Sequence, residues 1–151
     1  MQDDGYEFKL DVIGEGPRRK HLQELIESLG LNDNVRLIGS MPHNKVIEYY
    51  HRAEFFVLPA IKEGFGLVLV EAIVSGLPVI GADSGGIPDI IEDGKTGILV
   101  PPEDEKQLAQ AIRRFLDDPE WAQRTHKAGM KYVRSHFSPE AIAAKLERLY
   151  G

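Results

Sequence analysis

Two glutamates, Glu63 and Glu71, bracket the stretch KEGFGLVLVEAIVSG with seven residues between them. Glu63 opens the glycine loop Gly64-Phe65-Gly66, and Glu71 falls within the apolar run Leu67–Val74. The run is apolar on every side apart from Glu71, which predicts a buried helix. An ionised carboxylate in such a place requires partners. They are either an arginine or lysine of the chain or the hydroxyls of a ligand. A carboxylate accepts two hydrogen bonds at once, which suits the adjacent hydroxyls of a ribose. Glu63 can hold the hydroxyls of a sugar ring, or it is a solvated loop residue that complements the helix dipole. The glycines let a ligand approach the backbone, and the start of a helix offers unpaired N–H donors and partial positive charge. That combination suits a phosphate or a group of hydroxyls; the alternative is a plain connection.

Two further glycine loops follow strand-like runs. Gly14-Glu15-Gly16-Pro17 opens like a dinucleotide fingerprint, but Arg19 stands where the third glycine belongs. It is either a tight turn or a phosphate-side loop. Ser84-Gly85-Gly86 offers a second set of N–H donors or a simple turn. The five histidines (His21, His43, His51, His126 and His136) show no paired ligand spacing on one helix, there is no Asp-x-Asp pair, and the chain has no cysteine, so no metal site is expected. Lys62 and Glu103-Asp104-Glu105 read as solvated, and Trp121, Tyr132 and Phe137 as packing residues.

The elements that must position these residues alternate along the chain. Strands are predicted at Phe8–Ile13, Val35–Ile38, Phe55–Leu58, Pro78–Ala82 and Gly97–Val100. Most are continuously apolar, the pattern of a parallel sheet covered on both faces. Helices are predicted at Arg18–Leu29, Lys45–Arg52 and Leu67–Val74, with a short one near Pro88–Ile91. Asp104 can cap a helix over Glu105–Leu116, and Asp118-Pro119 and Ser138-Pro139-Glu140 are two more starts. The result is an α/β fold, a Rossmann-like parallel sheet flanked by helices with a helical carboxyl-terminal tail. In such sheets ligands bind outside the carboxyl ends of the strands, where the glycine loops lie.

A length of 151 residues fits one domain, and 42% hydrophobic with 28% charged residues is a globular composition. A net charge of −6 argues against general affinity for nucleic acid or anionic membrane. The amino end, MQDDGYEF, lacks a signal-peptide layout, and no apolar run approaches the roughly 18 residues of a membrane span. A cytoplasmic location is the expectation.

In order, the motifs DVIGEGP, NVRLIGSMP, AEFFVLPAIKEGFGLVLVEAIVSGLPVIGADSGGIPDII and DGKTGILVPPED resemble the donor-binding half of the group-1 glycosyltransferases, a retaining family with the GT-B fold. The likeness runs from about Leu10 to Leu149. It implies that Glu63 holds donor-sugar hydroxyls as the catalytic glutamate and that Glu71 holds the ribose. Gly64, Phe65, Gly66 and Leu67 would line the sugar and diphosphate, Ser40 and Met41 would meet the base, and Gly14 and Gly16 would border the donor cleft. It also implies transfer of a hexose from a nucleoside diphosphate sugar with no metal or other cofactor. Set against the family pattern, residues 1–151 lack the acceptor-binding domain and the first strand–helix unit of the donor domain. The expectation is therefore one incomplete donor-binding domain, inactive alone. The strands at Phe8–Ile13 and Phe55–Leu58 would close up, or another copy would cover the gap in a homo-oligomer. The competing readings are a non-catalytic nucleotide-binding or oligomerising module and a GT-B nucleotide-sugar epimerase. A nicotinamide dehydrogenase would need the complete glycine fingerprint.

Overall fold

The computed structural model describes residues 5–138, which divide into two compact units meeting in sequence at Tyr49 and Tyr50. In the first, β1 (Leu10–Ile13) lies parallel to β2 (Val35–Gly39), with Leu10 opposite Val35 and Val12 opposite Leu37. A parallel pair needs a crossover, and α1 (Arg19–Ser28) supplies it. Gly30 ends α1 at φ +65°, and the N–H groups of Gly30 and Leu31 donate to the carbonyls of Glu27 and Ile26. This is the left-handed turn that closes many helices. The two-sided cover expected for the strands does not hold in β1, where Leu10 and Val12 remain exposed. Helix α2 (His43–Tyr50) follows β2, starting two residues earlier than its apolar pattern suggests.

The second unit carries the three-stranded parallel sheet β3 (Phe56–Leu58), β4 (Val79–Ala82) and β5 (Ile98–Val100), in that spatial order. The expected single sheet is thus two, and β1 and β3 stand in different ones. β4 is central and all four of its residues are buried. Helix α3 (Leu67–Val74) joins β3 to β4, and a single 3-10 turn at Ile87–Asp89 stands where a short helix is expected. α4 (Glu105–Asp117) and α5 (Pro119–Phe137) complete the unit. The third helix start, Ser138-Pro139-Glu140, runs outside the described residues. Ile80, Ile98 and Val100 of the sheet pack with Ala111, Phe115 and Ala122 from α4 and α5.

Both carboxyl-terminal helices begin as their capping residues dictate. The Asp104 side chain accepts from the Gln107 N–H at 2.9 Å, and that of Asp118 accepts from the Trp121 N–H at 2.8 Å. The two hydrogen bonds from Gln107 hold the Asp104 carboxyl below its ordinary pKa. The Asp118 N–H donates to the Arg114 carbonyl, so one residue ends α4 and starts α5. The Arg114 guanidinium lies 3.7 Å above the Trp121 ring across that junction.

Gly129 looks like a weak point in the α5 sequence, but it is a contact. It is buried, and a Cβ there would lie 2.9 Å from the Thr96 carbonyl oxygen. Three residues earlier, the His126 ring meets the Ile73 carbonyl at 3.0 Å, tying α5 to the end of α3. Alanine is the better helix former by about 1 kcal/mol, whereas forcing an atom into a filled contact costs about 1–3 kcal/mol. Gly129→Ala is therefore expected to lower stability by up to about 2 kcal/mol in urea denaturation. A raised midpoint would contradict the close approach.

Candidate functional site

The carboxyl ends of β3 and β4 feed two glycine loops that pack backbone against backbone. The Gly86 N–H donates to the Glu63 carbonyl at 3.1 Å, and the Ser84 hydroxyl donates to the Ile61 carbonyl at 2.5 Å. A Cβ at Gly85 would collide with the Glu63 carbonyl, and one at Gly86 with the Gly64 carbonyl. Glycine is thus required here for space, and at Gly85 also for its φ of +59°. The Gly86 N–H, a candidate phosphate donor from sequence, is committed to the neighbouring loop.

The other side of that pairing shapes the head of α3. Gly66 takes φ +76°, and its N–H donates to the Glu63 carboxylate at 3.1 Å. Glu63 thereby folds back over the start of the helix instead of pointing into solvent. The first helical hydrogen bonds come from the N–H groups of Leu69 and Val70, both to the Gly66 carbonyl. Those of Leu67 and Val68 precede them, at the positive end of the helix dipole. Gly64 and Phe65 are exposed, and the Phe65 ring meets Phe137 of α5 edge-on at 5.4 Å.

The expected burial of α3 requires correction. Leu69, Ala72 and Ile73 are buried, but Leu67 is 62% and Val74 57% exposed. The helix is apolar all round yet covered on one side only, and apolarity alone does not reveal which neighbours exist. Glu71 lies on the flank between these faces and is half-buried. Its Oε2 stands 3.5 Å from the hydroxyl of Tyr50, which is only 5% exposed. Burial, and then the negative charge of Glu71, push the Tyr50 phenol up to about 12. Tyr50 carries no signal in the sequence: it is the second of two tyrosines in an amphipathic helix, and only the fold sets it against Glu71.

In the first unit, the Gly14 N–H donates to the Gly39 carbonyl at 3.0 Å, which brings Gly14 and Gly16 beside the loop of Ser40 and Met41. Arg19 braces this junction, reaching Glu15 at 3.1 Å and the Leu37 carbonyl at 2.9 Å. Gly14, Gly16, Arg18, Leu22 and Leu37 line an open cleft of about 400 Å³. Among the described residues, no three acidic or histidine side chains gather closely enough to hold a metal ion, and no helix is long and apolar enough to cross a membrane.

Parallel strands, flanking helices and glycine loops at the strand ends define an α/β protein matching the GT-B glycosyltransferase structures. Residues 1–132 match the family Glycosyl transferases group 1, and the chain belongs to it. It is 34% identical over 146 residues to alpha-D-kanosaminyltransferase of Streptomyces kanamyceticus, covering 97% of this chain and 38% of that protein. It is 33% identical to glycogen synthase of Mycobacterium tuberculosis, over 93% of this chain and 34% of that one. Sucrose-phosphate synthase of Thermosynechococcus elongatus superposes with a TM-score of 0.82 at 37% identity, covering 94% of this chain and 37% of that one. HepE of Anabaena, solved in complex with UDP, gives 0.80 at 23% identity over 93% of this chain and 41% of its own length, a likeness of fold. The chain thus spans well under half of each of these four proteins.

Two glycines separate packing from plain turn geometry. Gly86→Ala, whose new Cβ would meet the Gly64 backbone, is expected to lower the unfolding midpoint by the equivalent of about 1–3 kcal/mol. Gly16→Ala, with nothing within 4 Å, should change stability by less than about 0.5 kcal/mol. Parallel urea denaturation of the two variants is the check, and equal effects would dissociate the two loops.

Proposed function

We propose that the second unit binds the donor of a retaining, metal-independent transferase that moves a hexose from a nucleoside diphosphate sugar. One observation carries the reading: Glu63 is folded over the head of α3 while Glu71 stands just over one turn further along the same helix, half-buried. The rise from Leu67 to Glu71 is about 6 Å. A diphosphate at the N–H groups of Leu67 and Val68 would then have a carboxylate for its sugar on one side and a carboxylate for its ribose on the other. Gly64, Phe65 and Gly66 supply the backbone that lines it.

The chemistry follows from charge. As the glycosidic bond breaks, negative charge builds on the departing nucleoside diphosphate, and donors already aimed at it favour that transition state. The hydrogen bond from Gly66 fixes the Glu63 side chain, so its remaining acceptor positions meet the sugar hydroxyls without reorganisation. Glu63 is the catalytic glutamate in this reading. The complex of HepE with UDP supports the donor class. The acceptor is chosen outside residues 1–151, which transfer no sugar unaided in this reading.

Calorimetry with UDP, GDP and ADP is the test. At least one is expected to bind, and Glu71→Gln is expected to weaken it about tenfold or more, the worth of a charged hydrogen bond. Absence of binding by all three, or an unchanged affinity in Glu71→Gln, would overturn the assignment. Turnover of a nucleotide sugar by residues 1–151 would overturn the inactivity.

Self-association is a separate proposal favoured by β3, which ends the order β3-β4-β5 and has no strand paired to its other side among the described residues. Sedimentation over a range of concentrations is expected to show mass above the monomer. A monomer at every concentration rules it out.

A further inference from the structure

The Tyr50 ring lies edge-on to Phe56 of β3, with centroids 5.7 Å apart and an interplanar angle of 83°. That packing accounts for the ring but not for its hydroxyl, which is buried at a cost that phenylalanine would avoid. The hydroxyl stands 3.5 Å from Glu71 Oε2 and 3.5 Å from the Val68 carbonyl, three residues earlier on the same helix. Both separations exceed the roughly 2.5–3.0 Å of a full O–H···O hydrogen bond, so the hydroxyl stands between two acceptors and is committed to neither. Both acceptors belong to one turn of α3, and the phenol is anchored to a strand. Its hydroxyl therefore gives the Glu71 carboxylate a reference point outside its own helix.

We propose that Tyr50 is a positioning residue that aims the Glu71 carboxylate at the two ribose hydroxyls and so sets discrimination between ribonucleotide and deoxyribonucleotide donors. The inference rests on the donor-binding reading of Glu71 and goes beyond it in naming what orients the group. Two hydroxyls are held by one carboxylate only if its plane is fixed, whereas a single hydroxyl is met by a freely turning one. Loss of the Tyr50 hydroxyl thus weakens the ribose form more than the 2′-deoxy form. The raised phenol pKa comes first from burial and then from the charge of Glu71, and the second cause agrees with the contact.

The experiment measures calorimetric affinities for UDP, GDP and ADP and their 2′-deoxy counterparts in wild type, Tyr50→Phe, Glu71→Gln and the double variant. Wild type is expected to prefer the ribose form about tenfold. In Tyr50→Phe the preference should fall at least about threefold, with no further fall when the change is made on Glu71→Gln. A merely structural role would weaken both forms alike and leave their ratio untouched, and that result overturns the proposal. Should no nucleotide bind to wild type, the donor-binding reading falls and takes this one with it. A wild-type ratio retained in Tyr50→Phe removes only the role of Tyr50. Tyrosine absorbance titration keeps the contact testable without the phenylalanine variant. The Tyr50 transition, raised by burial and by Glu71, is expected to move down in Glu71→Gln, and an unmoved transition overturns the proposal.

Discussion

The second unit depends on a contact that excludes side chains. The loops after β3 and β4 approach so closely that only glycine fits at positions 85 and 86, with the Gly86 N–H bound to the Glu63 carbonyl. Fixing the Glu63 backbone brings its carboxylate to the Gly66 N–H, which in turn defines where α3 starts. The orientation of the helix, the exposure of its first N–H groups and the place of Glu71 all follow from that start. A few backbone hydrogen bonds at positions where only glycine fits thus set a polar arrangement on an otherwise apolar element.

The far end of α3 is fixed differently. His126 reaches the Ile73 carbonyl, and Gly129 lets α5 settle against Thr96, so a helix remote in sequence holds the end of α3 through a ring and approaches it through the absence of a side chain. Interiors are packed tightly enough that a missing methyl group is structural information in the same sense as a present one. The two ends of α3 are therefore held by opposite devices, hydrogen-bonded loops at its start and helix packing at its finish.

How much of this is legible in the sequence depends on whether the cause is local. The limits of α3 follow from Gly66 and Gly76, both at positive φ, and match the expectation. Asp104 and Asp118 start their helices as capping chemistry requires. The strands are correctly placed, but most are shorter than expected, as at Phe8 and Lys9, because the extent of pairing rather than composition ends a strand. Non-local causes are not legible. The pairing of Gly86 with Glu63, the reach of Tyr50 to Glu71 and the use of Gly129 all join residues far apart in sequence or offered with no mark on the side chain. The exposed face of α3 was hidden because an apolar helix looks alike whether it has neighbours on one side or all round.

The pair of rings at the tip of the loop has a consequence for motion. Phe65 and Phe137 touch edge-on while Phe65 remains 44% exposed. Such an aromatic pair contributes about 0.5–1.5 kcal/mol beyond the area it covers. That is enough to favour the paired position of the ring about two- to twelvefold, and too little to lock it. An exposed ring held so lightly turns about its own bonds on the picosecond to nanosecond scale, while the loop backbone beneath it stays tied to Gly86. The ring is a latch on a fixed frame, shut most of the time and opened by thermal motion alone.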